Sequence, residues 1–307
     1  MSNIGVIDIG SNTFNLLVSS IKVKKTILSK ETFVGIRKGT FHNIIQEKTI
    51  EKSILVLNKY KKICSNLKCK KIYVIATASL RNALNKHEFK KRCKKNTGLF
   101  INIVSGHEEA KLIFDGISNN ITDLNNYMIV DIGGASTEFI IVKNKLHVYK
   151  KSYPFGSQLL IQKFNPSDPI KKKEIQSIEL FFNKKLKDLT KLLKKEKVKN
   201  LMGSSGSFNC IFKIQSKKKK KSIYNFINTD KYQKLISPKI LNSSITERKN
   251  IPGLLKMRAE NIIITIILIN FLLNEGIENI YTTEFSLKDG VFFNILNNTT
   301  TWQESLL

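Results

Sequence analysis

Residues 6–13 read Val-Ile-Asp-Ile-Gly-Ser-Asn-Thr, and residues 129–138 read Ile-Val-Asp-Ile-Gly-Gly-Ala-Ser-Thr-Glu. In both stretches a short apolar run, typical of a buried strand, precedes an aspartate, and small residues follow it. A turn built from small residues exposes backbone N–H groups and hydroxyls and leaves room for a bulky anion. The repeat therefore predicts two related lobes that hold one phosphorylated ligand in a cleft between them.

The rest of the chain alternates strand and helix patterns, which predicts an α/β fold. We expect a first lobe over residues 1–120, a second lobe over 121–286, and a final helix at 287–307 that packs on the first lobe. The periodicity predicts strands at 3–9, 14–21, 71–76 and 100–104, and helices at 47–67, 171–195 and 257–273. A helix start is predicted at 77–83, with the hydroxyls of Thr77 and Ser79 as caps.

The charge balance is strongly basic, with 52 Lys and Arg against 24 Asp and Glu and a formal net charge of +28. Such a field attracts polyanions such as nucleic acid or polyphosphate. The excess is mostly lysine and accompanies abundant Asn, Ile and Phe, as biased codon usage would produce. Runs such as 171–173 and 217–221 are also typical of solvated faces, so the charge alone identifies no ligand.

The spacing of the cysteines and the lengths of the apolar stretches indicate the cellular compartment of the protein. The four cysteines form no C-x-x-C pair and the four histidines are dispersed, which favours a reduced, cytoplasmic protein over a disulfide or zinc scaffold. Residues 1–4 lead directly into the first strand, so we expect no signal peptide. The most apolar stretch, 262–273, is too short to span a bilayer and predicts a buried helix.

Residues 6–13 and 129–138 each predict a strand–turn–strand hairpin, and further motifs follow the first of these hairpins along the chain. They are Ala-Thr-Ala-Ser-Leu-Arg-Asn-Ala at 76–83, Ser-Gly-His-Glu-Glu-Ala-Lys-Leu-Ile at 105–113, Gly-Ser-Ser-Gly-Ser at 203–207, Glu-Arg-Lys-Asn-Ile-Pro-Gly-Leu at 247–254 with Arg-Ala-Glu at 258–260, and Asp-Gly-Val at 289–291. Together with both hairpins they resemble the exopolyphosphatase and guanosine-pentaphosphate phosphohydrolase (Ppx/GppA) phosphatase family, over nearly the whole chain. This resemblance implies two RNase-H-like lobes of the actin-like ATPase superfamily with an interdomain cleft, in the short two-domain form.

The resemblance also implies roles for individual residues. Glu109 would orient and deprotonate the attacking water, and Arg81 would clamp a phosphate. Carboxylates that hold Mg²⁺ would be Asp8, Asp131 and Glu138. The implied phosphate-binding residues are Gly10, Ser11, Asn12, Thr13, Gly133, Gly134, Ala135, Ser136, Gly203, Ser205, Gly206 and Ser207.

Each assignment has an ordinary structural alternative. Acidic residues in a first helical turn, such as Glu108 and Glu109, are common capping choices, and we interpret Glu108 as structural. Asp8 and Asp131 could each be an ordinary turn-forming residue instead of a metal ligand. Where the family usually has glycine, this chain has Ala135, which either obstructs a backbone with positive φ or only reduces flexibility. Asn15 stands where the family often has histidine, and Ser207 where threonine is usual.

The leading hypothesis is a Mg²⁺-dependent exopolyphosphatase that removes terminal orthophosphate from inorganic polyphosphate. The same cleft could release the 5′ γ-phosphate of guanosine pentaphosphate, which gives the tetraphosphate alarmone of the stringent response. A kinase of the superfamily and a non-catalytic polyphosphate or alarmone sensor are further alternatives. A nucleic-acid-binding function lacks a recognisable domain, and the sequence has no G-x-x-x-x-G-K-[ST], H-E-x-x-H or G-x-S-x-G motif. By resemblance only, we expect a homodimer.

Overall fold

A computed structural model describes residues 3–204, 206–216 and 222–306, and the chain divides into two compact units. The first unit comprises residues up to Ile117 together with the segment from Phe285 onward, and the second comprises Ser118–Glu284. Each unit is a six-stranded sheet with helices, so the predicted α/β class is confirmed.

The first unit is built on a mixed sheet of order β3-β2-β1-β6, whose outer edge pairs with both β7 and β14. The β1–β2 and β2–β3 pairs are antiparallel, whereas β1–β6 and β6–β7 are parallel. Its strands are β1 (Asn3–Ile9), β2 (Thr13–Ser20), β3 (Lys25–Phe33), β4 (Thr40–Phe41), β5 (Ile44–Ile45), β6 (Cys69–Ala76), β7 (Ile101–Ile103) and β14 (Ser305–Leu306). Its helices are α1 (Glu47–Asn66), α2 (Ala78–Arg81), α3 (Lys86–Thr97), α4 (Gly106–Ser118) and α13 (Leu287–Leu296). The prediction of a helix over 287–307 is wrong beyond Leu296, because Ser305–Leu306 pair with β6 as a strand.

Helix α1 covers the sheet of the first unit with one apolar face. Ile50, Leu57, Tyr60 and Cys64 recur at helical spacing and are all buried. The Tyr60 hydroxyl donates a hydrogen bond to the Phe14 carbonyl on β2 at 2.9 Å. Burial raises the pKa of Tyr60 to about 12, so its hydroxyl keeps the proton that it donates. The helix predicted at 47–67 is confirmed.

Helices α4 and α13 cross in backbone contact inside the first unit. A Cβ at Gly290 would lie 2.7 Å from the Leu112 carbonyl carbon, and a Cβ at Gly116 would lie 2.7 Å from the Gly290 nitrogen. Beside this crossing the Asn294 amide donates to the Asp115 carboxylate at 2.7 Å. Because only glycine lets two helix backbones approach this closely, the crossing depends on both glycines.

The second unit has a sheet of order β10-β9-β8-β11-β13-β12. Its first four positions match β3-β2-β1-β6 of the first unit, which is the RNase-H-like order. Its strands are β8 (Asn126–Ile132), β9 (Thr137–Lys143), β10 (Leu146–Tyr153), β11 (Asn200–Gly203), β12 (Tyr224–Ile227) and β13 (Asn279–Thr283). Its helices are α5 (Ser157–Phe164), α6 (Lys172–Lys185), α7 (Lys187–Lys195), α8 (Gly206–Gln215), α9 (Thr229–Lys231), α10 (Ser237–Leu241), α11 (Ile245–Lys249) and α12 (Ile262–Asn274), with a π-helical turn at Tyr232–Ile236 and a 3-10 turn at Lys256–Arg258.

The single helix predicted at 171–195 is wrong, because the segment forms two helices. Leu186 separates α6 from α7 with φ −105° and ψ 11°. The apolar stripe nevertheless continues through the break, since Phe182, Leu186 and Leu189 are all fully buried. Periodicity could not reveal the break because the apolar phase is the same on both sides of it.

Helix α12 is the apolar core helix of the second unit. It begins at Ile262, later than the predicted Met257, because a 3-10 turn occupies Lys256–Arg258. Ten of its residues are buried, which confirms a buried helix over the most apolar stretch. Across residues 3–204, 206–216 and 222–306, no helix combines the length and apolarity needed to cross a bilayer.

Candidate functional site

The first predicted phosphate loop joins β1 to β2. The Gly10 N–H donates to the Thr13 carbonyl at 3.0 Å, which closes the turn. Arg37 donates its N–H to the Ser11 carbonyl at 2.9 Å, and Gly35 donates to the Asn12 carbonyl at 2.8 Å. The loop is thus held by its carbonyl oxygens, an arrangement that suits anion binding by amide N–H groups.

The second predicted loop joins β8 to β9 with the same closure, since the Gly133 N–H donates to the Ser136 carbonyl at 2.9 Å. The start of α5 packs directly on this loop, and the Gln158 N–H donates to the Gly134 carbonyl at 3.1 Å. A Cβ at Gly156 would lie 2.5 Å from the Gly134 carbonyl carbon. Gly156 was not predicted as a site residue, because its signal in the sequence is only a glycine directly before a helix.

Ala135 fits the second loop without strain. Its backbone does not have a positive φ, and the residue is buried, with 3% of its surface exposed. An L-residue with negative φ carries no conformational penalty from its Cβ. The alternative in which Ala135 obstructs a positive-φ backbone is therefore wrong.

The third predicted loop follows β11 in the second unit. The Ser204 N–H donates to the Val130 carbonyl at 3.1 Å, and α8 begins at Gly206. A Cβ at Gly206 would lie 2.9 Å from Nε of Arg258, so that guanidinium borders the start of α8. Ser207 is buried in the first turn of α8, whereas Ser205 lies outside the described residues. The sequence placed Arg258 only within a segment that resembles the family, and its position beside this loop was not predicted.

The two predicted catalytic residues meet in the first unit. Nη1 of Arg81 donates to Oε2 of Glu109 at 3.0 Å and to the Val104 carbonyl at 2.8 Å. The Glu109 side chain is 8% exposed, against 23% for the Arg81 side chain. A charge-assisted bond in a largely buried setting orients the carboxylate strongly. Glu109 lies in the first turn of α4, which Ser105 caps by accepting the Glu108 N–H at 3.1 Å.

Helix α2, which carries Arg81, is tied to the first phosphate loop. The Ser79 hydroxyl donates to the Ser11 hydroxyl at 2.7 Å, and the Thr77 hydroxyl donates to the Ile9 carbonyl at 3.5 Å. The prediction that these hydroxyls cap α2 is wrong, since they bind the end of β1 and the loop after it instead. The arginine helix and the loop therefore form one connected structure.

The predicted metal ligands occupy equivalent hairpin positions. Asp8 pairs with Asn15, whose amide donates to it at 3.1 Å, and Asp131 pairs with Glu138 across β8 and β9. Directly opposed residues share one face of a sheet, so the latter carboxylates lie side by side. The buried Glu138 accepts the Ser152 hydroxyl at 2.7 Å.

Two neighbouring carboxylates fit Mg²⁺, which takes its remaining ligands from water and substrate oxygens. Within the described part of the chain, no group of three or more His, Cys, Asp or Glu side chains is arranged to hold a metal ion. All four cysteines are buried, and none of them forms a disulfide. Among the described residues, therefore, nothing supports a metal site made of three or more such protein ligands.

Comparison with known protein sequences assigns these features to a family. The model of the Ppx/GppA phosphatase family matches residues 18–299. A Haemophilus influenzae protein provisionally named an exopolyphosphatase is 27% identical over 217 residues, which are 69% of this chain and 66% of that protein. A guanosine-5′-triphosphate,3′-diphosphate pyrophosphatase of Pseudoalteromonas translucida is 30% identical over 162 residues, 52% of this chain and 33% of that protein. The matches thus span less than two thirds of the length of each relative.

Solved structures agree with this assignment. An exopolyphosphatase from Cytophaga hutchinsonii superposes with a TM-score of 0.91 at 27% identity, covering 98% of this chain and 100% of that one. The Aquifex aeolicus member of the Ppx/GppA family gives a TM-score of 0.80 at 22% identity, covering 98% and 99%, and supports the fold alone. Because the family match extends over residues 18–299 of 307, the chain belongs to the Ppx/GppA phosphatase family.

Proposed function

We propose that this chain is a cytoplasmic exopolyphosphatase, which hydrolyses the terminal phosphoanhydride of inorganic polyphosphate. The observation that carries the proposal is the ion pair of Arg81 with the largely buried Glu109, in a helix pair tied to the first phosphate loop. Hydrolysis of a phosphoanhydride needs a positioned water, a base for it and donors for the developing charge. Family membership and the named relatives support the same reaction.

Glu109 acts as the base that takes a proton from the attacking water. Its carboxylate is already oriented by the bond from Arg81. The Arg81 guanidinium has five N–H donors, so groups beyond those used for Val104 and Glu109 can bind a phosphate oxygen. The backbone N–H groups of the three glycine-containing loops supply further phosphate donors.

Mg²⁺ is the proposed cofactor, with Asp8, Asp131 and Glu138 as its protein ligands. When bound, the ion neutralises negative charge on the phosphate oxygens. The opposed pair of Asp131 and Glu138 supports this assignment, because hard oxygen ligands suit Mg²⁺.

The basic composition supports a long polyanion as substrate. A net charge of +28 raises the local concentration of polyphosphate and speeds its association. Arg258 beside the third loop adds a cation next to predicted phosphate donors. The homodimer suggested by the resemblance remains a prediction.

Guanosine pentaphosphate is the second candidate substrate, in a stringent-response role. It is favoured by the 30% identity to the Pseudoalteromonas translucida pyrophosphatase. Both reactions would use the same base and the same phosphate donors, so a measurement must separate them.

The test compares phosphate release by the purified chain from polyphosphate and from guanosine pentaphosphate, first with Mg²⁺ and then with excess chelator. We expect turnover of polyphosphate and its loss by about 10²-fold or more on chelation, because the ion would stabilise charge in the transition state. Restoring Mg²⁺ should restore the rate. Turnover of the nucleotide alone would select the second substrate, and release from neither would contradict the proposal.

Arg81→Lys should lower kcat by about 10²-fold while the fold is retained. Lysine offers a point charge that cannot reproduce the fork of bonds to Val104, Glu109 and phosphate. Arg92→Lys is the matched control, because Arg92 forms an Arg–Glu pair with Glu47 on the surface of the same unit. Steady-state phosphate release measures both variants. Equal rates for Arg81→Lys and the control would remove Arg81 from the reaction.

A further inference from the structure

The segment after α13 runs back over the first unit, and we name residues 299–306 the C-terminal strap. Its Gln303 N–H donates to Oδ1 of Asn102 at 3.0 Å, and the Asn102 amide returns a bond to the Gln303 carbonyl at 2.9 Å. Further along, Ser305 accepts the Phe100 N–H at 2.9 Å. These bonds fix the strap beside β7.

The strap pairs with the part of the β6 edge that β7 does not cover. β7 pairs only with residues 74–76 of β6, whereas β14 pairs with Ile72 and Lys71 on the same edge. Glu304 anchors this end, since it accepts the Tyr73 hydroxyl at 2.6 Å and pairs with Lys71 at 2.8 Å. Hydrogen bonds from Lys71 and then Tyr73 lower the pKa of Glu304, so the anchor is charged at neutral pH.

Directly before these anchors in the chain, Trp302 reaches the helix that carries the proposed base. Its indole N–H donates to Oε1 of Glu108 at 2.8 Å. Glu108 directly precedes Glu109 in the first turn of α4. Adjacent helical residues project about 100° apart, so bonds to both carboxylates act on different sides of one turn. Arg81 holds one side through Glu109, and the strap holds the other through Glu108.

We propose that Trp302 is a positioning residue for the reaction: through Glu108 it fixes the rotation of the first turn of α4, and thereby the direction of the Glu109 carboxylate. The inference rests on the proposed function, in which that carboxylate takes the proton of water. Small misplacements of a catalytic group are costly, which gives a weak surface bond a measurable effect on rate.

The kinetic test uses Trp302→Phe, which keeps an aromatic ring and removes the N–H, and Glu108→Ala, which removes the acceptor without altering the strap. We expect each to lower kcat for polyphosphate by about tenfold with KM unchanged, because binding groups stay in place. The double variant should be no slower than either single variant, since both remove one bond. Leu306→Ala, at a strap side chain 73% exposed, is the control and should keep the wild-type rate.

A second readout is independent of activity, because Trp302 is the only tryptophan of the chain. Its emission should shift in Glu108→Ala and stay unchanged in Glu108→Gln, whose amide oxygen still accepts the indole N–H. Glu108→Gln should also keep the wild-type kcat.

Failure of this inference differs from failure of the proposed function. A wild-type kcat in both Trp302→Phe and Glu108→Ala, or a double variant whose loss is the product of the single losses, would overturn the positioning role alone. A wild-type chain that releases no phosphate from either substrate would overturn the proposed function, whatever the fluorescence shows.

Discussion

Glu109→Gln is expected to reduce phosphate release by about 10²- to 10⁴-fold while substrate binding persists. Glutamine has the shape of glutamate, and its amide oxygen can still accept the Arg81 bond seen at 3.0 Å. It cannot take a proton from water, so the loss should fall on kcat and leave KM nearly unchanged. Steady-state phosphate release and direct titration with polyphosphate measure the two quantities separately.

Glu108→Gln is the matched control for this result. It makes the same chemical change one residue away and preserves the bond from Trp302, so we expect the wild-type rate. An unchanged kcat in Glu109→Gln would assign the base to another residue. Binding without hydrolysis in both the wild type and the variant would instead identify a sensor.

Gly290→Ala is expected to destabilise the first unit by about 3 kcal/mol or more. The new methyl would lie 2.7 Å from the Leu112 carbonyl carbon and 3.0 Å from the Gly116 nitrogen, both backbone atoms of α4. Backbone inside a helix cannot move aside as a flexible side chain can, so the helices must separate. Urea unfolding followed by circular dichroism measures the loss.

Gly276→Ala separates steric overlap from backbone strain. Gly276 has φ +108°, and no atom lies within 4 Å of a Cβ built there, so its cost is conformational only. We expect that variant to lose about 1–3 kcal/mol. If Gly290→Ala lost no more than Gly276→Ala, close helix contact at Gly290 would not contribute to stability.

The hairpins and α1 could be predicted because their signals are local. An apolar run before an aspartate and a glycine predicts a strand and a turn, and the i, i+3, i+4 spacing from Ile50 predicts a helix. Helix α3 had no such signal, since lysines dominate it and its buried face, formed by Phe89, Cys93 and Thr97, has only two apolar residues. β14 has only two residues, and it forms by pairing with the edge of β6. No local sequence pattern predicts a strand of this kind.

The candidate site divides in the same way. The resemblance identified Arg81 and Glu109 as candidates. Their contact joins residues 28 positions apart in the chain, so it depends on the tertiary structure and could not be predicted from the sequence. Gly156, Arg258 and Trp302 were missed because each acts through a close approach to a distant segment. The sequence around a glycine or an arginine does not indicate which distant segment will contact it.

The crossing of α4 with α13 also sets the order in which the two units can complete their folding during synthesis. The second unit is one uninterrupted stretch, Ser118–Glu284, whereas the first needs the segment that begins at Phe285. As the polypeptide emerges from its amino end, the early sheet must wait for this late segment, with the surface beneath Gly290 uncovered. The part translated first is thus the last to complete its fold.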